Sequence, residues 1–114
     1  MKKFMVLYMV DPATFETMMR NSTPEMQKKG MEAWRKWMGA HQGSLIDGGA
    51  PLGKTVRVDA NGAKEAKNGI GGYSVVKADS HEAATKMFAK DHPHLQMMPG
   101  AWVEIVEIMP VPGM

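Results

Sequence analysis

Two stretches of this chain are apolar on both faces of any strand they could form. Residues 3 to 10 read KFMVLYMV, a near-continuous apolar run. Residues 101 to 109 read AWVEIVEIM, so that Val103, Ile105, Glu107 and Met109 fall on one side and Trp102, Glu104, Val106 and Ile108 on the other. A strand of this kind needs cover on both faces. Between them the chain offers only two long stretches with helical periodicity, and two helices shelter one face of a small sheet. The other face is then a large apolar surface in water unless something else covers it.

The first helix is announced by NSTPEM. Thr23 caps it, Pro24 takes the first helical position and Glu25 sits in the first turn, where its charge suits the dipole. At about 100° per residue, Met26, Gly30, Ala33, Trp34, Trp37 and Met38 share one face and the charged residues take the other. His41 closes the apolar face at the last turn, before Gly43 ends the helix. A short helical turn precedes it over Thr14 to Arg20. The second helix is DSHEAATKMFAK, residues 79 to 90, capped by Asp79 or Ser80 with Glu82 completing a capping box, and Pro93 prevents its continuation. SLIDGG is a second strand, TVRVD a third, and IGGYSVVKA a fourth, with Gly71 and Gly72 marking a bulge or a close backbone approach. The polar ANGAKEAKNG closes a long hairpin and is expected to be mobile.

The order β-α-β-β-α-β makes the chain α+β, a ferredoxin-like antiparallel sheet with both helices on one face. The economical cover for the exposed face is a second copy packed sheet against sheet: a homodimer forming a two-chain α+β barrel around an enclosed cavity. At 114 residues, 1 to 114 form one domain.

The charges, 14 Lys and Arg against 12 Asp and Glu, are spread without a basic block, which argues against nucleic acid as a partner. There is no Cys, so neither a disulfide framework nor a thiolate metal site is implied. The opening MKKFMVLYMV imitates a signal peptide but stops at Asp11-Pro12 without a cleavage site, and no later run approaches the roughly 20 apolar residues of a membrane span. The expectation is a soluble, cytoplasmic protein. The 13 Met serve as core filler or as the lining of an adaptable pocket.

GGAPLGKT, residues 48 to 55, meets the phosphate-cradling pattern at Gly48, Gly53, Lys54 and Thr55. That motif needs a helix to open at the Lys, whereas here an alternating strand pattern follows, and Pro51 removes an amide donor. It reads as a turn between strands, and no nucleotide or other cofactor is expected.

DHPHL is the densest polar cluster, with Asp91, His92 and His94 at a helix exit. An imidazole oriented by a carboxylate suits acid–base work at neutral pH. Two imidazoles across a rigid Pro, with Asp91, also suit a metal. Equally, His favours a helix C-terminus and Asp before a turn is routine. His41, on an apolar face, is either a base or a histidine satisfied by one hydrogen bond, with Asp47 placed to approach it across the turn. In the last strand either Glu104 or Glu107 points into the barrel, where it would be a proton carrier. The three Trp serve as core or as stacking surfaces for a planar ligand.

The segments KKFMVLYM, GGAPLG, GGYSVVKADSHEAA, KDHPHLQMMPG and VEIVEIMPVPGM together resemble the YCII-related (YCII/DGPF domain) family over roughly Lys3 to Met109. The resemblance implies a dimeric α+β barrel with a small cleft in which a His and an Asp are candidate catalytic groups. It implies elimination or isomerisation on a small ring compound, or a non-catalytic ligand-binding or accessory dimer. The family's Gly-Pro-Leu turn matches Ala50-Pro51-Leu52, with Ala in place of Gly. Its Asp-Pro-Phe turn matches Asp91-His92-Pro93-His94 with one residue inserted, and its His is nearest to His41, which lies at the far end of the helix. The candidate catalytic set is therefore His92, Asp91 and His41, and the candidate ligand-binding set His94, Pro51, Leu52, Tyr73, Glu104 and Glu107, with no metal assigned.

Overall fold

The computed structural model describes residues 1–89 and 92–113. The apolar opening run forms β1 (Lys2–Met9), followed by α1 (Pro12–Arg20) and α2 (Pro24–Ala40). A short 3-10 turn (Gln42–Ser44) leads to β2 (Leu45–Pro51), then β3 (Thr55–Asp59), β4 (Gly62–Ala66) and β5 (Ile70–Ala78). α3 (His81–Thr85), α4 (Pro93–Met97) and β6 (Trp102–Ile108) complete the chain.

The main sheet has four strands in the order β2-β5-β1-β6, every neighbouring pair antiparallel. The fold is thus α+β, with the two strands of the longest apolar runs, β1 and β6, adjacent. TVRVD, expected as a strand of the main sheet, instead pairs with the polar GAKEA in a separate two-stranded hairpin. The segment expected to be a loop is half of that hairpin. The turn supplies the reason: the Asn61 N–H is held by Asp59 Oδ1 at 2.8 Å, and Gly62 takes a φ of +126° that a side chain would resist.

Local chemistry sets the helix ends. Thr23 accepts the Met26 N–H at 3.1 Å, with Pro24 in the first turn. α1 starts two residues before the expected turn because the Asp11 carboxylate accepts from Thr14 N. Ser80, not Asp79, caps α3, accepting from Ala83 N at 3.1 Å. α3 is only five residues long, against the twelve expected. Beyond Thr85 the chain tightens into i→i+3 bonds, from Met87 N to Ala84 O and from Phe88 N to Thr85 O. The tightening lets Trp37 Nε1 donate to the Met87 carbonyl at 2.9 Å and brings Phe88 under Trp37. α3 thus ends well before Pro93, which instead opens α4, with His92 as its cap.

Alternation decides the two faces of the sheet. Phe4, Val6 and Tyr8 of β1 and Ser74, Val76 and Ala78 of β5 are buried beneath the helices, with Trp37 and Ala84 above them. On the reverse face, cross-strand register aligns Met5 with Val75 and Val106, Leu7 with Tyr73 and Glu104, and Met9 with Trp102. Here Trp102 is 43% exposed, Val106 48% and Ile108 40%. Among the described residues the helices pack on the Phe4, Val6 and Tyr8 side, and the molecule is a slab 46 × 45 × 19 Å.

The surface is correspondingly large. The accessible area is 8108 Å², whereas a compact monomer of this mass exposes about 6,200 Å². The radius of gyration is 15.7 Å, against about 13 Å for a compact domain of this length.

Candidate functional site

Three places hold the residues with chemical potential, and they are distinct. The first lies beneath the helices. Tyr8 is the centre of a nest of rings: Trp34 packs on it edge-on at 4.8 Å, His92 stacks at 5.5 Å with an interplanar angle of 17°, and His94 sits edge-on at 5.5 Å. The Tyr8 hydroxyl lies 2.9 Å from Ser74 Oγ, and Ser74 Oγ donates to the Gly48 carbonyl at 2.9 Å. A serine has one proton, so Tyr8 must be the donor in the first bond. Burial pushes the Tyr8 phenol up to about 12, opposed by its bond to Ser74, which keeps it a neutral donor.

His92 is 2% exposed, with Trp34, Trp37 and Phe88 around its ring, and its Nδ1 accepts the His94 N–H at 3.1 Å. His94 is also buried. Its Nε2 carries the proton, because it faces the Met9 carbonyl at 2.8 Å. Burial holds this imidazole below its ordinary value, with hydrogen bonding to the Met9 and Trp102 backbones opposing the shift. His41 caps α2, donating Nδ1–H to the Trp37 carbonyl at 3.0 Å and lying against the Trp37 ring at 4.9 Å. Trp37 therefore touches both His41 and His92. Asp91, the third member of the candidate catalytic set, lies outside the described residues. Among the described residues no group of three His, Asp or Glu side chains is arranged to hold a metal.

The second place is the open face of the sheet. Glu104 is on this side, and its Oε2 accepts the Trp102 indole N–H at 2.8 Å. Glu107 is on the other, opposite Phe4, with its carboxylate 3.7 Å from Lys2 Nζ. Register thus places the two glutamates on opposite faces of the sheet. Asp47, expected near His41, has its hydrogen bonds elsewhere. It takes the Tyr73 hydroxyl at 3.3 Å on Oδ2 and the Gly49 N–H at 2.8 Å on Oδ1. The Asp47 charge raises the Tyr73 phenol above its ordinary value. Glu104, Leu7 and Tyr73 form one cross-strand row, so the two polar residues stand roughly 10 Å apart, two strand spacings, with an apolar strip between them.

Gly49 makes this edge possible. Its φ is +78°, and a Cβ there would sit 1.6 Å from the Tyr73 carbonyl oxygen, so only glycine lets β2 bulge past β5 at this point. The same segment disposes of the nucleotide motif: Gly48 to Pro51 are strand, and Thr55 opens β3 rather than a helix. Pro51 ends β2 opposite Gly72, and Leu52 N donates to the Gly71 carbonyl at 3.0 Å.

The third place is a cleft of about 680 Å³ between α1, the turn at Leu52 to Thr55, the hairpin and the start of β5. Of the candidate residues that are described, only Leu52 lines it. Of the cleft's charged groups, Lys54 belongs to the GGAPLGKT stretch, whereas Glu16, Glu65 and Lys67 carry no motif and were not singled out from the sequence. Neither was the Tyr8–Ser74 pair, whose partners are 66 residues apart. Among the described residues no helix is long and apolar enough to cross a membrane.

No protein-family model matches the chain, and no curated protein matches it. Among solved structures it is similar to 5-chloro-2-hydroxyhydroquinone dehydrochlorinase from Burkholderia phenoliruptrix AC1100, solved in complex with 2,5-dihydroxybenzoquinone. The two share 14% sequence identity over 90% of each chain, with a TM-score of 0.49.

Proposed function

We propose that this chain is a ferredoxin-like protomer, of the kind implied by its resemblance to the YCII-related family, that pairs sheet to sheet with a second copy and binds a small ring compound in the enclosed space. The observation that carries this reading is the open face itself. Trp102, Val106, Ile108 and the strip from Met5 to Met9 form an apolar surface on the face of the sheet opposite the helix-covered core. The excess of exposed area, roughly 1,900 Å², is of the order that each partner of an obligate homodimer buries.

The hydrogen-bonding groups on that face support a ligand site. Glu104 with Trp102 stands at one side of the apolar strip, and Tyr73 with Asp47 at the other. A neutral ring with a polar substituent at each end fits that spacing, its faces against Leu7 and Val75. In this reading the His cluster packs the core. His92 lies on the helix side among Tyr8, Trp34, Trp37 and Phe88, with the sheet between it and the ligand. Any proton transfer to the ligand then falls to Glu104, and binding without turnover needs no further group.

The test combines mass and binding. Sedimentation at micromolar concentration should give the mass of two chains, and Val106→Asp should give one. Binding of 1,4-benzenedimethanol, followed by calorimetry, should be present in the native protein and weakened in Glu104→Gln and in Val106→Asp. A single-chain mass for the native protein, or binding unchanged in both variants, overturns the proposal.

A further inference from the structure

The cleft beside α1 has a floor and a rim of different chemistry. Val10, Pro12, Phe15, Leu52 and Ile70 make an apolar floor. At the rim, Lys54 Nζ meets Glu65 Oε1 at 2.5 Å and Lys67 Nζ meets Glu16 Oε1 at 2.6 Å. None of Tyr73, Asp47, Glu104 or Trp102 lines it, so it is separate from the open face of the sheet. Its volume lies within the range of small-molecule sites, roughly 300 to 1,000 Å³.

The two rim pairs hold the ammonium groups in place without using them up. Each is 50% or more exposed on both sides and so contributes little to stability. An ammonium has three donors, and the structure gives each lysine one carboxylate oxygen here. Within the lining Lys54 and Lys67 balance Glu16 and Glu65, and each ammonium keeps donors that its carboxylate partner does not take. The group the rim receives best is a further carboxylate, accepting from the remaining lysine donors.

We propose that this cleft is a binding site for a small organic acid, its ring or branched body on Phe15, Leu52 and Ile70 and its carboxylate on Lys54 and Lys67. The hairpin β3–β4 forms the outer wall. It is tied to the body by the Lys67–Glu16 pair and to its own stem by the Asn68–Thr55 hydrogen bond. This gives a function to an arm that adds nothing to the main core.

The experiment is an amide chemical-shift titration of the full chain with benzoate, run beside benzylamine and benzyl alcohol. Saturable shifts on benzoate addition should centre on residues 52 to 55 and 66 to 71. Benzoate should bind at least tenfold more tightly than benzylamine. Lys54→Ala/Lys67→Ala should weaken benzoate at least tenfold while leaving the melting temperature within a degree or two, since both side chains are exposed; Phe15→Ala should weaken all three probes. Benzylamine equal to or tighter than benzoate, benzoate unaffected by the lysine variants, or no saturable shift in the cleft up to millimolar probe overturns the proposal. So do shifts confined to Tyr73, Glu104 and Trp102, which would place the acid on the sheet face. Because cleft and sheet face share no residue named in either test, each proposal can fail alone.

Discussion

Ser74→Ala should destabilise the protein more than Tyr8→Phe, although the two residues share one hydrogen bond. In Tyr8→Phe the ring stays packed against Trp34, His92 and His94, and Ser74 Oγ still donates to Gly48. Only the net value of one hydrogen bond is lost, about 1 kcal/mol. In Ser74→Ala the Tyr8 hydroxyl, in a residue 4% exposed, keeps its proton with no acceptor. That costs about 1–3 kcal/mol, and loss of the bond to Gly48 adds about 0.5–1.5 kcal/mol. The sum, roughly 1.5–4.5 kcal/mol, corresponds to about 6–18 °C in melting temperature at about 4 °C per kcal/mol for a chain this size. In the double variant the orphaned hydroxyl is gone, so adding Tyr8→Phe to Ser74→Ala should restore part of the loss. Urea denaturation of the four proteins closes the cycle. A Tyr8→Phe loss equal to or greater than that of Ser74→Ala, or strict additivity, would refute the assignment of donor and acceptor.

The same phenol gives an alkaline signature. Its folded value of about 12 lies above the unfolded value of 10.0, so its contribution is complete below pH 10 and is lost as pH rises towards 12. Native protein should lose roughly 2–3 kcal/mol more than Tyr8→Phe across that window in urea titrations. His94 has the opposite sense: burial depresses it, so its contribution is present above the unfolded value of 6.5 and is lost as pH falls below it, and His94→Gln should flatten the acid limb of stability against pH. Gly49→Ala should cost at least ~3 kcal/mol by urea denaturation, because a positive φ and a backbone clash act together. Val106→Asp places a charge at the proposed contact of both protomers, so each loses about 1.5–3 kcal/mol of side-chain burial, and the dimer should dissociate at micromolar concentration by sedimentation.

What the chain determined by itself is the set of elements and the problem they pose. The alternation of AWVEIVEIM and the run KFMVLYMV make strands apolar on both faces, and Thr23-Pro24 starts the long helix, because caps and periodicity are local. The arrangement of the site was decided by tertiary structure. Register, a relation between strands far apart in sequence, put Glu104 on the open face and Glu107 opposite Phe4. Packing took His92, the residue whose chemistry was most suggestive in sequence, and enclosed it in aromatic rings, since an imidazole next to a proline has no local signal for which side of a sheet it will meet. The turn at Asn61-Gly62 bent TVRVD back on GAKEA instead of onto the sheet, and that choice created the cleft. Sequence fixes what each short segment can be; which groups end up facing one another depends on contacts that no short segment contains.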